Sequence, residues 1–142
     1  LREDIVGDLE KAALTAFFTV LVFVVGQFLQ KFILEPVQEQ RRLIGEVAFA
    51  LVFYANVSTR FSAPEEKDEA QKSVRKLSAQ LRATLWTIPF YNLLAALHIV
   101  PKREAINRAS TGLIGFSNSF GEGSTRDIRD EIADALKIDW KA

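Results

Sequence analysis

The sequence predicts an all-α protein, with one N-terminal transmembrane helix followed by a compact helical body of about four helices. Three observations predict it. Nineteen consecutive residues, Ala12 to Gln30, carry no charge. Beyond them, apolar residues recur at spacings of three and four, which is helical periodicity. No stretch alternates apolar and polar residues as a half-buried strand would.

The first eleven residues carry six charges and form a flank, 1–11. In the run that follows, Phe17, Phe18, Val20, Leu21, Val22, Phe23, Val24 and Val25 leave no polar face. Lys31 can snorkel, and Phe32, Ile33 and Leu34 extend the run. The predicted span, 12–34, has 23 residues. As a helix it is about 35 Å long, which suits a hydrocarbon core of about 30 Å with modest tilt. A surface helix would show a polar stripe. The alternative is the central helix of a soluble bundle, but so short a chain has few partners to cover every side of it. Pro36 ends this run, kinks it, or opens the next helix.

Polar residues inside a span usually turn from lipid toward a partner or a water-filled path. Here they are Gln27, Gln30 and Lys31. Gln27 and Gln30 fit three roles: bonding to a partner helix, ringing the pore of a homo-oligomer, or reaching headgroups. Ala12 and Ala16 form one small-residue pair. Arg2 and Lys11 precede the span, and Lys31, Arg41 and Arg42 follow it. By that margin of one basic residue, the body, 37–142, is expected in the cytoplasm.

In the body, Val37 to Val57 carries Leu43, Val47, Ala50, Tyr54 and Val57 on one face, with Glu35, Glu39, Arg42 and Glu46 on another. Glu39 and Arg42 can pair at i,i+3. Thirteen uncharged residues, Val47 to Thr59, are too few to cross a membrane and suit a core or membrane-surface helix. FSAPEEKDEAQKS then signals a helix start, with Ser62 as cap and Pro64 in the first turn. Val74, Leu77, Leu81, Leu85 and Ile88 form its apolar stripe.

Ala83 to Pro101 is again nineteen uncharged residues. Pro89, Asn92 and His98 argue against a second crossing, so a kinked helix, buried or grazing the bilayer, is expected. Trp86 and Tyr91 suit a membrane interface. Pro101 opens a further helix facing inward through Ile106, Ala109, Leu113 and Phe116, with Gly121 and Gly123 at its end. Ser124 and Asp127 cap the last helix, whose inner face is Ile128, Ile132, Ala135 and Leu136. Trp140 either locks the terminus or touches a partner.

The stretches ILEPVQEQRRLIGEVAFALVFYAN, IPFYNLLAALHIVP and GLIGFSNSF resemble a group of small, uncharacterised bacterial single-span membrane proteins. The resemblance lies in whole segments rather than in a catalytic signature. It implies one N-terminal span, a helical remainder and a bacterial inner-membrane location, and it transfers no functional residue.

Composition narrows the chemistry further. The 142 residues hold 18 basic and 18 acidic side chains, so the formal charge is zero. That balance argues against a nucleic-acid partner. Without cysteine there is no disulfide, zinc-thiolate or thiol nucleophile. The chain begins at Leu1 and lacks methionine, so a trimmed or processed start is expected. No phosphate loop, paired histidines or metal loop occurs, and no cofactor is expected. His98, the single histidine, reads as a structural or surface residue. A triad of Ser117 or Ser119 with His98 and Asp127 lacks any supporting pattern. Glu65/Glu66 and Asp130/Glu131 sit on solvated faces rather than in an enclosed site.

The leading functional expectation is a membrane-anchored interaction or scaffold module. Its partners would be the lipid bilayer and either a second copy or another membrane protein. A small homo-oligomeric channel is the alternative, and an enzyme of unnamed class comes third.

Overall fold

The computed structural model describes residues 1–55, 63–120 and 125–139. Among them every regular element is helical. They are α1 Arg2–Leu29, a π-helical segment Gln30–Leu34, α2 Glu35–Phe53, α3 Pro64–Thr87, α4 Tyr91–Ala96, α5 Arg103–Asn118 and α6 Arg126–Leu136. The chain divides into two units, Leu1–Glu35 and Pro36–Ala142.

In the first unit, α1 buries none of its residues. The two threonines of its apolar run turn their hydroxyls back onto the helix. Thr15 Oγ1 donates to the Lys11 carbonyl at 2.9 Å, and Thr19 Oγ1 to the Thr15 carbonyl at 2.8 Å. Such back-bonding satisfies a hydroxyl where water is absent. The segment Gln30–Leu34 widens to π geometry, and the Glu35 N–H donates to the Gln30 carbonyl five residues back. A proline in an α-helix removes the donor for the carbonyl four residues earlier, and its ring crowds that carbonyl. A π turn is one way a helix absorbs a local misfit. Pro36 follows as the second residue of α2.

The second unit is a helical bundle. Its core takes Leu43, Val47 and Leu51 from α2, Val74, Leu77, Leu81 and Leu85 from α3, Ile106, Leu113 and Phe116 from α5, and Ile132 and Leu136 from α6. Full burial of each such side chain is worth about 1.5–3 kcal/mol. The stripes expected on α3 and α5 are all buried. On α6, Ile128 and Ala135 are only half-buried, and Ala133 is buried instead. Tyr54 is half-buried at the end of α2, and Val57 lies outside the described residues.

Hydrogen bonds fix the helix directions. Arg75 Nη2 donates to Asn118 Oδ1 at 2.8 Å, Ser78 Oγ to the Ser110 carbonyl at 2.7 Å, and Arg103 Nη2 to the Leu85 carbonyl at 3.4 Å. As α3 advances, its partners on α5 recede, so the two run antiparallel. Arg129 Nη1 on α6 donates to the Leu51 carbonyl at 3.3 Å. On the exposed face of α2, Arg42 bridges Glu39, at 2.7 Å, and Glu46. The Arg42 hydrogen bond holds the Glu39 carboxyl below its usual range.

Two helix starts differ from expectation. The N-cap of α3 is Ala63, with extended backbone and no capping side chain, and Pro64 is the first helical residue. Ser62, the expected cap, lies outside the described residues, as do Gly121, Gly123 and Ser124. The N-cap of α6 is Thr125, which places Asp127 in the first turn rather than at a capping-box position.

The stretch 83–101 is not one kinked helix. Pro89 forces Ile88 into extended geometry, with φ −87° and ψ 113°, and α3 stops at Thr87. Phe90 then adopts a left-handed conformation, φ 53°, before the six residues of α4. Neither 83–87 nor α4 is long enough by itself to cross a bilayer. Among the described residues one helical stretch is long and apolar enough to do so, within Arg2–Phe53, and its most apolar part is unburied.

The approach of α5 to α6 requires a glycine. A Cβ on Gly112 would stand 2.6 Å from Ile132 Cγ1, whereas one on Gly115 would meet nothing within 4 Å. Gly112→Ala is therefore expected to cost about 1–3 kcal/mol. Gly115→Ala should be neutral or gain up to about 1 kcal/mol, because it lowers the entropy of the unfolded chain. Urea unfolding of the two variants in detergent checks the contrast, and equal costs would refute the close approach.

Candidate functional site

The polar residues of the first unit come first. Gln27, Gln30 and Lys31 are all exposed, and none of their side chains hydrogen-bonds among the described residues. Unlike Thr15 and Thr19, the two amides are not satisfied by their own helix. They remain available to an outside partner.

In the second unit, a polar network holds the α2 start, the α3 end and the α4–α5 turn together. Gln40 is 1% exposed. Its Nε2 donates to Thr84 Oγ1 at 2.8 Å and to the Tyr91 hydroxyl at 3.1 Å. Thr84 Oγ1 donates to the Leu81 carbonyl at 2.6 Å, and the Tyr91 hydroxyl to the Pro101 carbonyl at 2.8 Å. The Gln40 Oε1 is buried with no partner among the described residues. An orphan acceptor of that kind costs about 1–3 kcal/mol, so the network is only partly satisfied.

Arg103, the first residue of α5, clamps the same region. Its Nε donates to Asn92 Oδ1 at 3.0 Å. Its guanidinium lies 5.2 Å from the Tyr91 ring centre and 6.0 Å from that of Trp86. These are cation–π distances.

The structure separates the aromatic residues expected at an interface. Trp86 is 84% exposed. Tyr91 is 2% exposed, so its placement at a surface is corrected: it is an interior hydrogen-bonding residue. Its position in a long uncharged run gave it the look of an interface aromatic, but the partners that draw it inward come from residues 40, 84 and 103. Trp140 lies outside the described residues.

A cavity of about 540 Å³ opens beside this network. Its rim carries Arg41, His98, Lys102 and Lys137, its floor includes Ile44, Val100 and Leu136, and no carboxylate among the described residues lines it. Arg41 Nη2 donates to the Ile99 carbonyl at 3.3 Å, tying α2 to the turn after α4. Next along the chain lies an exposed apolar stripe on the outer side of α4: Phe90, Leu93 and Leu97, with Trp86 before them. Sequence reasoning missed the cavity because its four basic residues are spread over 97 positions (41 to 137). Gln40 did leave a signal, as a polar residue at the three-residue spacing between Val37 and Leu43.

No catalytic constellation is assembled among the described residues. Ser117 Oγ donates to the Ile114 carbonyl at 2.7 Å and accepts from Arg75 Nε at 3.4 Å. Ser119 Oγ donates to the Phe116 carbonyl at 2.9 Å. His98 is exposed on the cavity rim, so the triad of serine with His98 and Asp127 is not formed. Glu65 and Glu66 are exposed, as expected, whereas Asp130 is half-buried. No group of three potential metal ligands occurs among the described residues.

No family model, curated protein or solved structure matches this chain.

The network makes a direct prediction. Tyr91→Phe removes the donor to Pro101 and an acceptor for Gln40, at an expected cost of about 1–2 kcal/mol. Burial raises the Tyr91 hydroxyl above its ordinary pKa of 10, against smaller lowering effects from Gln40 and Arg103. The folded state thus favours the neutral phenol. Its contribution is complete below that ordinary value and is lost as pH rises through the raised one. Unfolding midpoints of wild type and Tyr91→Phe, measured from neutral to strongly alkaline pH, should converge at the alkaline end. A constant difference would contradict this assignment.

Proposed function

We propose that this chain is a membrane-anchored helical interaction module. In this reading α1 and the π-helical segment cross a bacterial inner membrane once. The second unit then works at the cytoplasmic surface, beside a membrane-protein partner or another copy of the chain. One observation carries the reading: α1 buries nothing, while the second unit holds a complete core of its own. Apolar patches of more than a few hundred Å² are rarely left in water. Moving the eight large apolar side chains between Phe17 and Val25 into hydrocarbon is worth on the order of 10 kcal/mol or more.

Two further features support an interaction role over a plain anchor. Gln27 on α1 and Gln30 at the start of the π-helical segment present amides with no partner among the described residues, and Phe49 and Phe53 stack at 5.1 Å on the outside of α2. The cytoplasmic placement rests on Lys31, Arg41 and Arg42 outnumbering Arg2 and Lys11.

The anchor is tested by carbonate extraction. The full chain is expected to remain in the membrane pellet, and a chain beginning at Val37 should lose stable integration. Release of the full chain would end the proposal. Sidedness is tested with Ser73→Cys, at an exposed position of α3 in a chain without other cysteines. An impermeant thiol reagent should label it only after the cells are permeabilised.

The partner contact has its own test. Interhelical bonds between side chains in membranes average about 0.6 kcal/mol and reach about 2. Gln27→Leu with Gln30→Leu should weaken self-association or release a co-purifying partner, without reducing insertion. Unchanged mass and co-purification would show that these amides meet only headgroups.

A further inference from the structure

The geometry points to the cavity at the α2 start as a binding site for the headgroup of an anionic phospholipid, with the Trp86–Phe90–Leu93–Leu97 stripe lying in the neighbouring acyl boundary. This rests on α1 crossing the bilayer.

Charge is the first argument. The whole chain is neutral, yet this cavity gathers Arg41, Lys102 and Lys137 with His98 and, among the described residues, no lining carboxylate. That is a local excess of fixed positive charge around an apolar floor. A phosphodiester attached to acyl chains has the matching pattern, with an anion joined to hydrocarbon. A free phosphate would use the rim and leave Ile44, Val100 and Leu136 unused. The N-terminus of α5 opens at the same edge, through Pro101, Lys102 and Ala105. Lys102, its N-cap, supplies no capping side-chain bond.

Position is the second argument. Arg41 lies only seven residues beyond Leu34, at most about 10 Å of helix. A bilayer is about 30 Å of hydrocarbon within 40–45 Å overall, so each headgroup layer is several ångströms deep. A span ending near Leu34 therefore tethers the Arg41 rim within reach of headgroups.

The stripe is the third. α4 turns Tyr91 and Leu94 inward, but its opposite side carries Leu93 and Leu97, preceded by Phe90 at 73% exposure. Its one polar residue, Asn92, is exposed and accepts from Arg103. Short amphipathic segments with Trp, Phe and Leu outward, beside basic groups, suit the bilayer interface.

Backbone conformation marks the same place. Phe90, His98 and Lys137 are the non-glycine residues with positive φ among the described residues, at 53°, 59° and 56°. Phe90 heads the stripe, and His98 and Lys137 stand on the cavity rim. His98 and Lys137 each occupy the turn position after a helix where glycine is usual. The Ile99 N–H donates to the Leu94 carbonyl, and the Ile138 N–H to the Ala133 carbonyl. Side chains kept at left-handed positions are strained, and such strain gathers at binding sites.

The test uses the full chain in a mild non-ionic detergent. It is titrated separately with dioleoyl phosphatidylglycerol, dioleoyl phosphatidylcholine and inorganic phosphate. Tm and retained lipid by native mass spectrometry are the readouts. Phosphatidylglycerol should raise Tm and stay bound, and phosphatidylcholine should do neither.

Each basic residue near an anionic surface contributes roughly a fivefold factor. Lys102→Gln with Lys137→Gln should therefore weaken phosphatidylglycerol binding about thirtyfold. Lys102→Arg with Lys137→Arg should retain it, which separates lost charge from lost folding. Lys67→Gln with Lys76→Gln, removing equal charge from α3, should also retain it. Equal response to both lipids, an equal loss in the α3 variant, or displacement of the lipid by millimolar phosphate would overturn the assignment. Carbonate extraction reports separately on the anchor. A chain that stays integrated but shows no lipid preference defeats the cavity alone. One released by carbonate that still selects phosphatidylglycerol through Lys102 and Lys137 defeats the anchor alone.

Discussion

The uncharged run of α1 has no polar face and needs an apolar environment on every side, yet none of its described residues is buried. That requirement orders everything else about the protein. The backbone of α1 meets its own hydrogen-bonding needs, as any segment in hydrocarbon must. Its threonine hydroxyls do the same by bonding to carbonyls one turn back. Within 12–34 the side chains of Gln27, Gln30 and Lys31 make no hydrogen bond among the described residues, and they fall in the last turns before the second unit. The division of labour is chemical: α1 buries none of its residues and is apolar enough to cross a membrane, while the bundle of α2 to α6 covers its own core.

The bundle is organised differently near its middle and at the α2 start. Near the middle, α5 meets α6 over Gly112, where apolar packing decides the spacing. At the α2 start, polar and cationic groups take over. Gln40, Thr84 and Tyr91 form a chain of donors, and Arg103 holds the α3 end and α4 through carbonyl, amide and ring contacts. Such a network specifies one arrangement of short segments that apolar contacts alone would leave loose. Its cost is the orphan oxygen of Gln40.

How much of this was legible in the sequence varies with the kind of information each feature needs. α3 and α5 were legible because their apolar residues repeat at helical spacing over many turns, and every expected core position on them is buried. The stretch 83–101 was misread as one kinked helix. Pro89 announced a disturbance, but a phenylalanine in left-handed geometry leaves no trace in a sequence pattern. Tyr91 was misplaced for a related reason: an aromatic residue in an uncharged run looks the same whether lipid or a distant glutamine receives it. The cavity rim was invisible because Arg41, His98, Lys102 and Lys137 meet only through the antiparallel return of the helices.

The brevity of α4 has a kinetic consequence. Six residues are far below the length at which a helix is stable in water, because nucleation costs more than so few backbone bonds return. α4 persists because Tyr91 and Leu94 are seated in the bundle and Arg103 grips Asn92 beside them. Its amides therefore belong to the low-stability end of the molecule and open by local excursions that leave α3 and α5 intact. Those excursions would also carry Leu93 and Leu97 away from the body. A surface that held these side chains from outside would slow the opening, so the exchange rate of α4 amides reads out what lies against the protein at this end.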